Sequence, residues 1–236
     1  MRQNKHIGIV AVSSPGAALC FQTICVEAER LIGKRYAHPE VSMHAFPFDQ
    51  YMQLIENGEW DGLAELLAAS SRKLAEIGAD FAICPDNTAH IAFEKAVKMS
   101  PIPWLHIAEE VAGEAERLGL KRIAILGTRF LMESKVYPSK LERYGISWVI
   151  PNGEQREIIN GIIFNELVYG VIKEESREKL VRIIEGLAEK DGCDAVVLGC
   201  TELPLILDEK TSPIPPLDST RILARAALRE AVSSRQ

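Results

Sequence analysis

The chain repeats itself. Residues 78–88 read Gly-Ala-Asp-Phe-Ala-Ile-Cys-Pro-Asp-Asn-Thr, and residues 192–202 read Gly-Cys-Asp-Ala-Val-Val-Leu-Gly-Cys-Thr-Glu. Gly78 and Gly192 lie 114 residues apart, and so do Asp86 and Cys200. Each copy is Gly-x-Asp, then an apolar run, then polar residues. Upstream, Ile7-Gly-Ile-Val-Ala-Val-Ser13 echoes Ile123-Ala-Ile-Leu-Gly-Thr-Arg129 at a spacing of 116. Two nearly equal offsets indicate a duplicated half, and whatever supersecondary unit one half forms the other forms too. A pseudo-twofold axis relating the halves would set Asp86 and Cys200 facing each other. That arrangement suits chemistry on both faces of one carbon.

Within each half, short runs rich in Val, Ile and Ala alternate with longer periodic segments. Strands are expected at residues 6–12, 41–46, 81–84, 104–107, 122–126, 147–150 and 195–198. Helical patterns fall at 18–32, 63–77, 88–99, 108–118, 137–143, 156–170, 176–190 and 221–233. Continuous apolar strands between amphipathic helices predict parallel sheets covered on both faces. The fold class is therefore α/β: two similar lobes, each a parallel sheet flanked by helices, related by a pseudo-twofold axis. The expected division is 1–105 plus 214–236 for the first lobe and 106–213 for the second, with the last helix returning to the first. Pro101, Pro103, Pro213, Pro215 and Pro216 punctuate the two changeovers.

Composition narrows the function classes. Hydrophobic residues make up 47% and charged residues 25%, the profile of a chain that buries a real core. The formal net charge of −6 argues against nucleic-acid binding, which needs a basic face. No run approaches the roughly 18 apolar residues of a membrane helix. The start, Met1 to His6, resembles a signal-peptide n-region. The apolar run that follows, residues 7–12, is too short for an h-region and is broken by Ser13-Ser-Pro-Gly16, so it reads as the first strand. The five cysteines (20, 25, 84, 193 and 200) are odd in number and form no CxxC pair, so a reducing, cytoplasmic setting is expected and no metal site.

In parallel sheets, ligands sit outside the carboxyl ends of the strands. Four loops are expected there: Ser13-Ser14, Asp86-Asn87-Thr88, Thr128-Arg129 and Cys200-Thr201-Glu202. Cys200 follows a strand and precedes an expected helix start, where backbone N–H groups and the helix dipole favour a thiolate able to act as base or nucleophile. Free cysteines are also common inert core residues, and Cys20, Cys25, Cys84 and Cys193, lacking polar neighbours, read that way. Asp86 is placed as a carboxylate proton carrier, or as the N-cap of a helix over 88–99, roles that do not exclude each other. Asn87, Thr88 and Thr201 could hold a substrate carboxylate between two helix N-termini, or could simply cap; Ser13 and Thr128 belong to the same binding group. His90 is read as a helix-surface residue or as one that orients a catalytic group from behind, His106 as a core histidine, and Glu202 as a residue that tunes the thiol or complements a helix start.

These pieces resemble the aspartate/glutamate racemase family, which works without pyridoxal phosphate. The resemblance covers nearly the whole length. It is carried by Ile7-Gly-Ile9, Asp86-Asn-Thr-Ala-His90, Ile125-Leu-Gly-Thr-Arg129, Glu166-Leu-Val-Tyr-Gly170, Leu198-Gly-Cys-Thr-Glu-Leu-Pro204 and Leu217-Asp-Ser-Thr220. In that family two cysteines face opposite sides of the substrate α-carbon, one removing and one donating a proton. Cys200 matches the second. Asp86 stands where the first is expected. The resemblance implies two α/β lobes, a homodimer and no cofactor. The chain departs from the family pattern at Asp86, at Ala11-Val12 in place of a glycine pair, and at Leu131 in place of a common threonine. It also lacks an arginine in Ala45-Phe-Pro-Phe-Asp-Gln-Tyr51.

The resulting expectation is a cofactor-independent amino-acid racemase or epimerase. Cys200 serves one face, and Asp86, directly or through a water, serves the other. The alternatives are a one-thiol decarboxylase or cis–trans isomerase of the same superfamily, or a non-catalytic small-acid binding protein. In every case the partner is a small carboxylate or amino acid, with no nucleic acid and no membrane.

Overall fold

A computed structural model describes residues 4–233. In chain order the elements are β1 (Ile7–Ala11), α1 (Ser14–Ile32), β2 (Val41–Ala45), α2 (Phe48–Glu56), α3 (Trp60–Glu76), β3 (Phe81–Ile83), α4 (Phe93–Lys98), α5 (Ile107–Arg117), β4 (Arg122–Gly127), α6 (Arg129–Met132), α7 (Pro138–Leu141), β5 (Ser147–Val149), α8 (Gly153–Asn165), α9 (Glu174–Asp191), β6 (Ala195–Gly199), β7 (Pro216–Asp218) and α10 (Ser219–Val232). The fold is α/β. The chain forms two compact units, Met1–Ile107 with Thr220–Gln236, and Ala108–Ser219.

The first unit holds a parallel sheet in the order β2-β1-β3, with Ile7 paired to both Val41 and Phe81. Its central strand is buried along its whole length. Ile7 and Ile9 of that strand pack with Cys20 and Ile24 of α1 and with Leu223 and Ala227 of α10. The second unit holds a parallel sheet in the order β5-β4-β6-β7. Here Ala124 and Leu126 of β4 pack with Val196 and Leu198 of β6 against Ile159 of α8 and Ile184 of α9. Burying each such aliphatic side chain is worth about 1.5–3 kcal/mol, so the apolar runs of the central strands hold each sheet between its helices.

The repeated Gly-x-Asp has a structural explanation in both halves. Gly78 and Gly192 adopt left-handed φ values of +92° and +70°, directly after α3 and α9. A Cβ is costly there, so glycine is the residue that lets the helix stop and the strand begin. The aspartate two residues on then ties the new strand to the first strand of its own half. Asp80 Oδ2 accepts from the His6 backbone N–H at 2.7 Å, and the Asp80 N–H donates to the His6 carbonyl at 2.9 Å. Asp194 accepts from the Lys121 and Arg122 N–H groups at 2.7 and 3.1 Å, and its own N–H donates to the Arg122 carbonyl at 2.8 Å. The motif is thus a register clamp made twice.

Several expected elements differ. The strand expected at 104–107 is a single bridge, Ala82 to Trp104, because Pro101 and Pro103 lack the N–H that a ladder needs. The proline-rich stretch before the last helix contains a real strand, β7, at the sheet edge where a proline is tolerated. α2 lies in a segment with no helix expected. The helix expected over 88–99 is a 3₁₀ turn, Thr88–Ala92, followed by the six-residue α4. Among the described residues no helix is long and apolar enough to cross a membrane.

Candidate active site

In each unit the candidate residues leave the carboxyl edge of the sheet. In the first unit, Ser13 follows β1 and is the extended N-cap residue of α1, and it is buried. Asp86 follows β3 after Cys84-Pro85. Its Oδ1 accepts from the Ala89 N–H at 2.8 Å, so it caps the 3₁₀ turn that follows. Asn87 and Thr88, next in the chain, are buried.

His90 is not a surface residue. It is buried, stacked on Phe93 at a 5.0 Å centroid distance and edge-on to His106 at 4.7 Å. Its Nε2 accepts from the Ile107 N–H at 3.2 Å, which leaves Nδ1 as the protonated nitrogen. Nδ1 then donates to the Asp86 carbonyl at 2.7 Å. One neutral imidazole therefore fixes the backbone of Asp86 and satisfies an orphan donor at the start of α5. His106, expected in the core, is half-buried.

Two further groups lie below Asp86. Cys84 is buried, and burial together with the Asp86 charge pushes its thiol well above the usual range. Tyr51 of α2 is also fully buried. Burial beside Cys84 and the Asp86 charge pushes its phenol up. Its hydroxyl meets no partner in hydrogen-bonding geometry among the described residues, although the Phe46 backbone lies beside it. Both groups stay protonated and neutral. Cys25 and Cys193 are likewise raised by burial.

In the second unit, Thr128 follows β4 and caps α6, its hydroxyl accepting from the Leu131 N–H at 3.2 Å. Arg129 points its guanidinium to Glu157 at 3.2 Å on the surface. Cys200 follows β6 and is 8% exposed. Its thiol donates to Glu202 Oε2 at 2.9 Å, and the Thr201 hydroxyl donates to the same oxygen at 2.8 Å. Glu202 is 3% exposed, so this carboxylate is buried against the two groups it serves. The expected helix start after Cys200 is a three-residue 3₁₀ turn, Leu203–Leu205. Pro204 inside it has no N–H to extend a helix. A buried carboxylate, rather than a helix dipole, is what the thiol meets.

Gly199 sets the position of Cys200. A Cβ on Gly199 would lie 2.7 Å from the Leu126 carbonyl oxygen and 2.6 Å from Leu131 Cδ2. A Cβ on its partner Gly127 would lie 2.9 Å from the Gly199 carbonyl oxygen. The ends of β4 and β6 approach this closely only because both residues are glycine.

The structure thus gathers Asp86, Asn87, Thr88 and His90 on one loop, with Ser13 at the neighbouring strand end. It gathers Cys200, Thr201 and Glu202 on another, with Thr128 at its neighbour. Sequence reasoning did not single out Tyr51 or Tyr137. The only signal for Tyr137 was its place in an expected helix, where a buried hydroxyl needs a partner; Tyr51 falls in a segment where no helix was expected.

The whole chain has relatives. A profile of the Asp/Glu/Hydantoin racemase family matches residues 9–227. The broad specificity amino-acid racemase RacX of Bacillus subtilis (strain 168) is 25% identical over 227 residues, covering 94% of this chain and 96% of the relative. A solved structure of a candidate Asp/Glu racemase from Yersinia pestis superposes with a TM-score of 0.88 at 30% identity, over 97% of this chain and 100% of that one. An aspartate racemase homologue from Pyrococcus horikoshii OT3 gives 0.81 at 32% identity, over 95% and 98%.

Proposed function

The chain belongs to the Asp/Glu/Hydantoin racemase family, and from that premise we propose that it is a cofactor-independent amino-acid racemase or epimerase whose two proton carriers are Cys200 and Asp86. The observation that carries this reading is the Cys200 thiol on the buried Glu202 carboxylate at 2.9 Å. Transfer of that proton to Glu202 leaves a thiolate. The thiolate takes the α-proton from one face of the substrate carbon. Asp86, in its acid form, returns a proton to the other face, and exchange with solvent restores the resting protonation. In the reverse direction the carboxylate of Asp86 abstracts and the thiol donates. General acid–base catalysis of this kind contributes typically 10²–10⁴-fold. Asn87, Thr88, Thr201, Ser13 and Thr128 supply the donors for the substrate α-carboxylate. His90 holds the Asp86 backbone, and Glu202 manages the thiol proton.

A one-thiol reaction, decarboxylation or cis–trans isomerisation, is the second reading. One observation favours it: Asp86 Oδ1 is already engaged by the Ala89 N–H. Incubating L- and D-amino acids with the protein in D₂O, with malonate and maleate analogues alongside, separates the readings. The racemase reading expects inversion with deuterium at the α-carbon. Exchange with retention supports the one-thiol reading. Neither exchange nor turnover with any compound refutes both and leaves a binding protein. The family resemblance supports a homodimer, to be read by sedimentation.

A further inference from the structure

β7 ends one step before the catalytic loop does. Its last residue, Asp218, pairs with Leu198, and the chain then turns into α10 at Ser219. Beyond this pair β7 has no further strand residue to lay against the end of β6. The Ser219 side chain adds a hold of its own there, its hydroxyl donating to the Leu198 carbonyl at 2.8 Å. The Tyr137 phenol lies in hydrogen-bonding reach of Ser219 in turn. Tyr137 and Ser219 are both fully buried, Leu198 nearly so. Burial pushes the phenol far up, so Tyr137 keeps its proton across the working pH range.

We propose that Tyr137 and Ser219 are positioning residues for Cys200, holding the end of β6 so that the thiol stays on Glu202. The proposal rests on reading Cys200 as a proton carrier. The strand end is gripped from two sides. On the β4 side, Gly199 pairs with Gly127 so closely that a Cβ on either would clash. On the β7 side, the Tyr137–Ser219 chain pulls on the residue just before Gly199. The first unit has a counterpart. There His90 bonds both the Asp86 carbonyl and the first N–H of α5. In both halves a buried side chain ties the loop bearing the proton carrier to the start of the next long helix, so the tie is a feature of the duplicated design.

The test uses Ser219→Ala, Tyr137→Phe and Ser219→Thr in the full chain. Iodoacetamide alkylation of Cys200 is followed peptide by peptide, with thermal unfolding recorded in parallel. Ser219→Ala frees the loop, so Cys200 alkylation is expected to rise about fivefold, the equivalent of one neutral hydrogen bond, while turnover falls. Tyr137→Phe moves both readouts the same way by less, and Ser219→Thr restores them. A folded Ser219→Ala or Tyr137→Phe protein with parental alkylation and turnover overturns the proposal. Should Ser219→Ala fail to fold, Tyr137→Phe decides alone. Alkylation requires no turnover, so a failure of Cys200 as a proton carrier is seen separately, as parental activity in Cys200→Ala.

Discussion

Replacing Asp86 tests the half of the mechanism that departs most from a two-thiol design. The Asp86 carboxylate already serves as a cap: Oδ1 accepts the Ala89 N–H at 2.8 Å. A cap of this kind is worth about 1 kcal/mol, and asparagine caps as well as aspartate. In a chain of this size that energy corresponds to roughly 2–4 °C in melting temperature. Asp86→Ala loses both the cap and the titratable group, and should lose both the few degrees and racemisation. Asp86→Asn loses only the titratable group. It should melt with the parent, lose about 10²–10⁴ in racemisation, and retain Cys200-dependent deuterium exchange of one enantiomer. Asp86→Cys supplies a thiol carrier at the same place and should keep or raise activity. The assays are chiral chromatography for inversion and proton NMR in D₂O for exchange. If Asp86→Asn racemises like the parent, Asp86 is a cap and the second proton carrier lies elsewhere.

Cys200→Ala should abolish turnover whatever the reaction, and iodoacetamide should label Cys200 before Cys84, whose thiol is held up by burial. Substrate should protect Cys200, and full activity of the alanine variant would remove it from the mechanism. Glu202→Gln leaves an oxygen to accept from Cys200 and Thr201, so the protein should fold, but it removes the base for the thiol proton and should lower kcat by about 10². An unchanged kcat would make Glu202 a packing residue. Thr88→Val and Thr201→Val should each raise KM several-fold through loss of a carboxylate donor, and parental KM in both would place the α-carboxylate on other residues.

Much of the architecture was legible in the pattern of residues. The strands and helices of the α/β alternation follow from apolar runs and helical periodicity, and β1, β4 and β6 lie close to where those runs predict them. The misses have local causes. β7 is hidden because Pro213, Pro215 and Pro216 look like a linker, whereas Pro216 simply occupies an edge position. The helix expected after Asp86 is broken into a 3₁₀ turn and a short α segment, a distinction that periodicity alone does not make. At the site, residue types and strand-end placement were readable, but partnerships were not. Nothing in the order Cys-Thr-Glu reveals that the thiol and the hydroxyl share one carboxylate oxygen. Nor does His90 announce that it bonds Asp86 behind it and Ile107 seventeen residues ahead. Such contacts depend on how loops close in three dimensions.

The duplication persists in the backbone and ends where the chemistry begins. Both halves keep the left-handed glycine, the aspartate clamp and a proposed proton carrier just past a strand end. Yet one carrier is a carboxylate occupied by its own backbone, and the other a thiol occupied by a carboxylate. A carboxylate releases its proton more readily than a thiol, so the two directions of proton transfer start from unlike protonation states. For a true racemase this asymmetry is bounded. Enantiomers have equal free energy in water, so kcat/KM for the two directions must be equal however different the carriers are. The inequality of Asp86 and Cys200 can then surface only as compensating differences in kcat and KM between enantiomers, and in which enantiomer exchanges its α-proton faster than it inverts. Unequal kcat/KM values would mean that the two compounds are not enantiomers, and would turn the assignment toward epimerisation or one of the one-thiol reactions. The same measurement that quantifies the asymmetry therefore identifies the reaction.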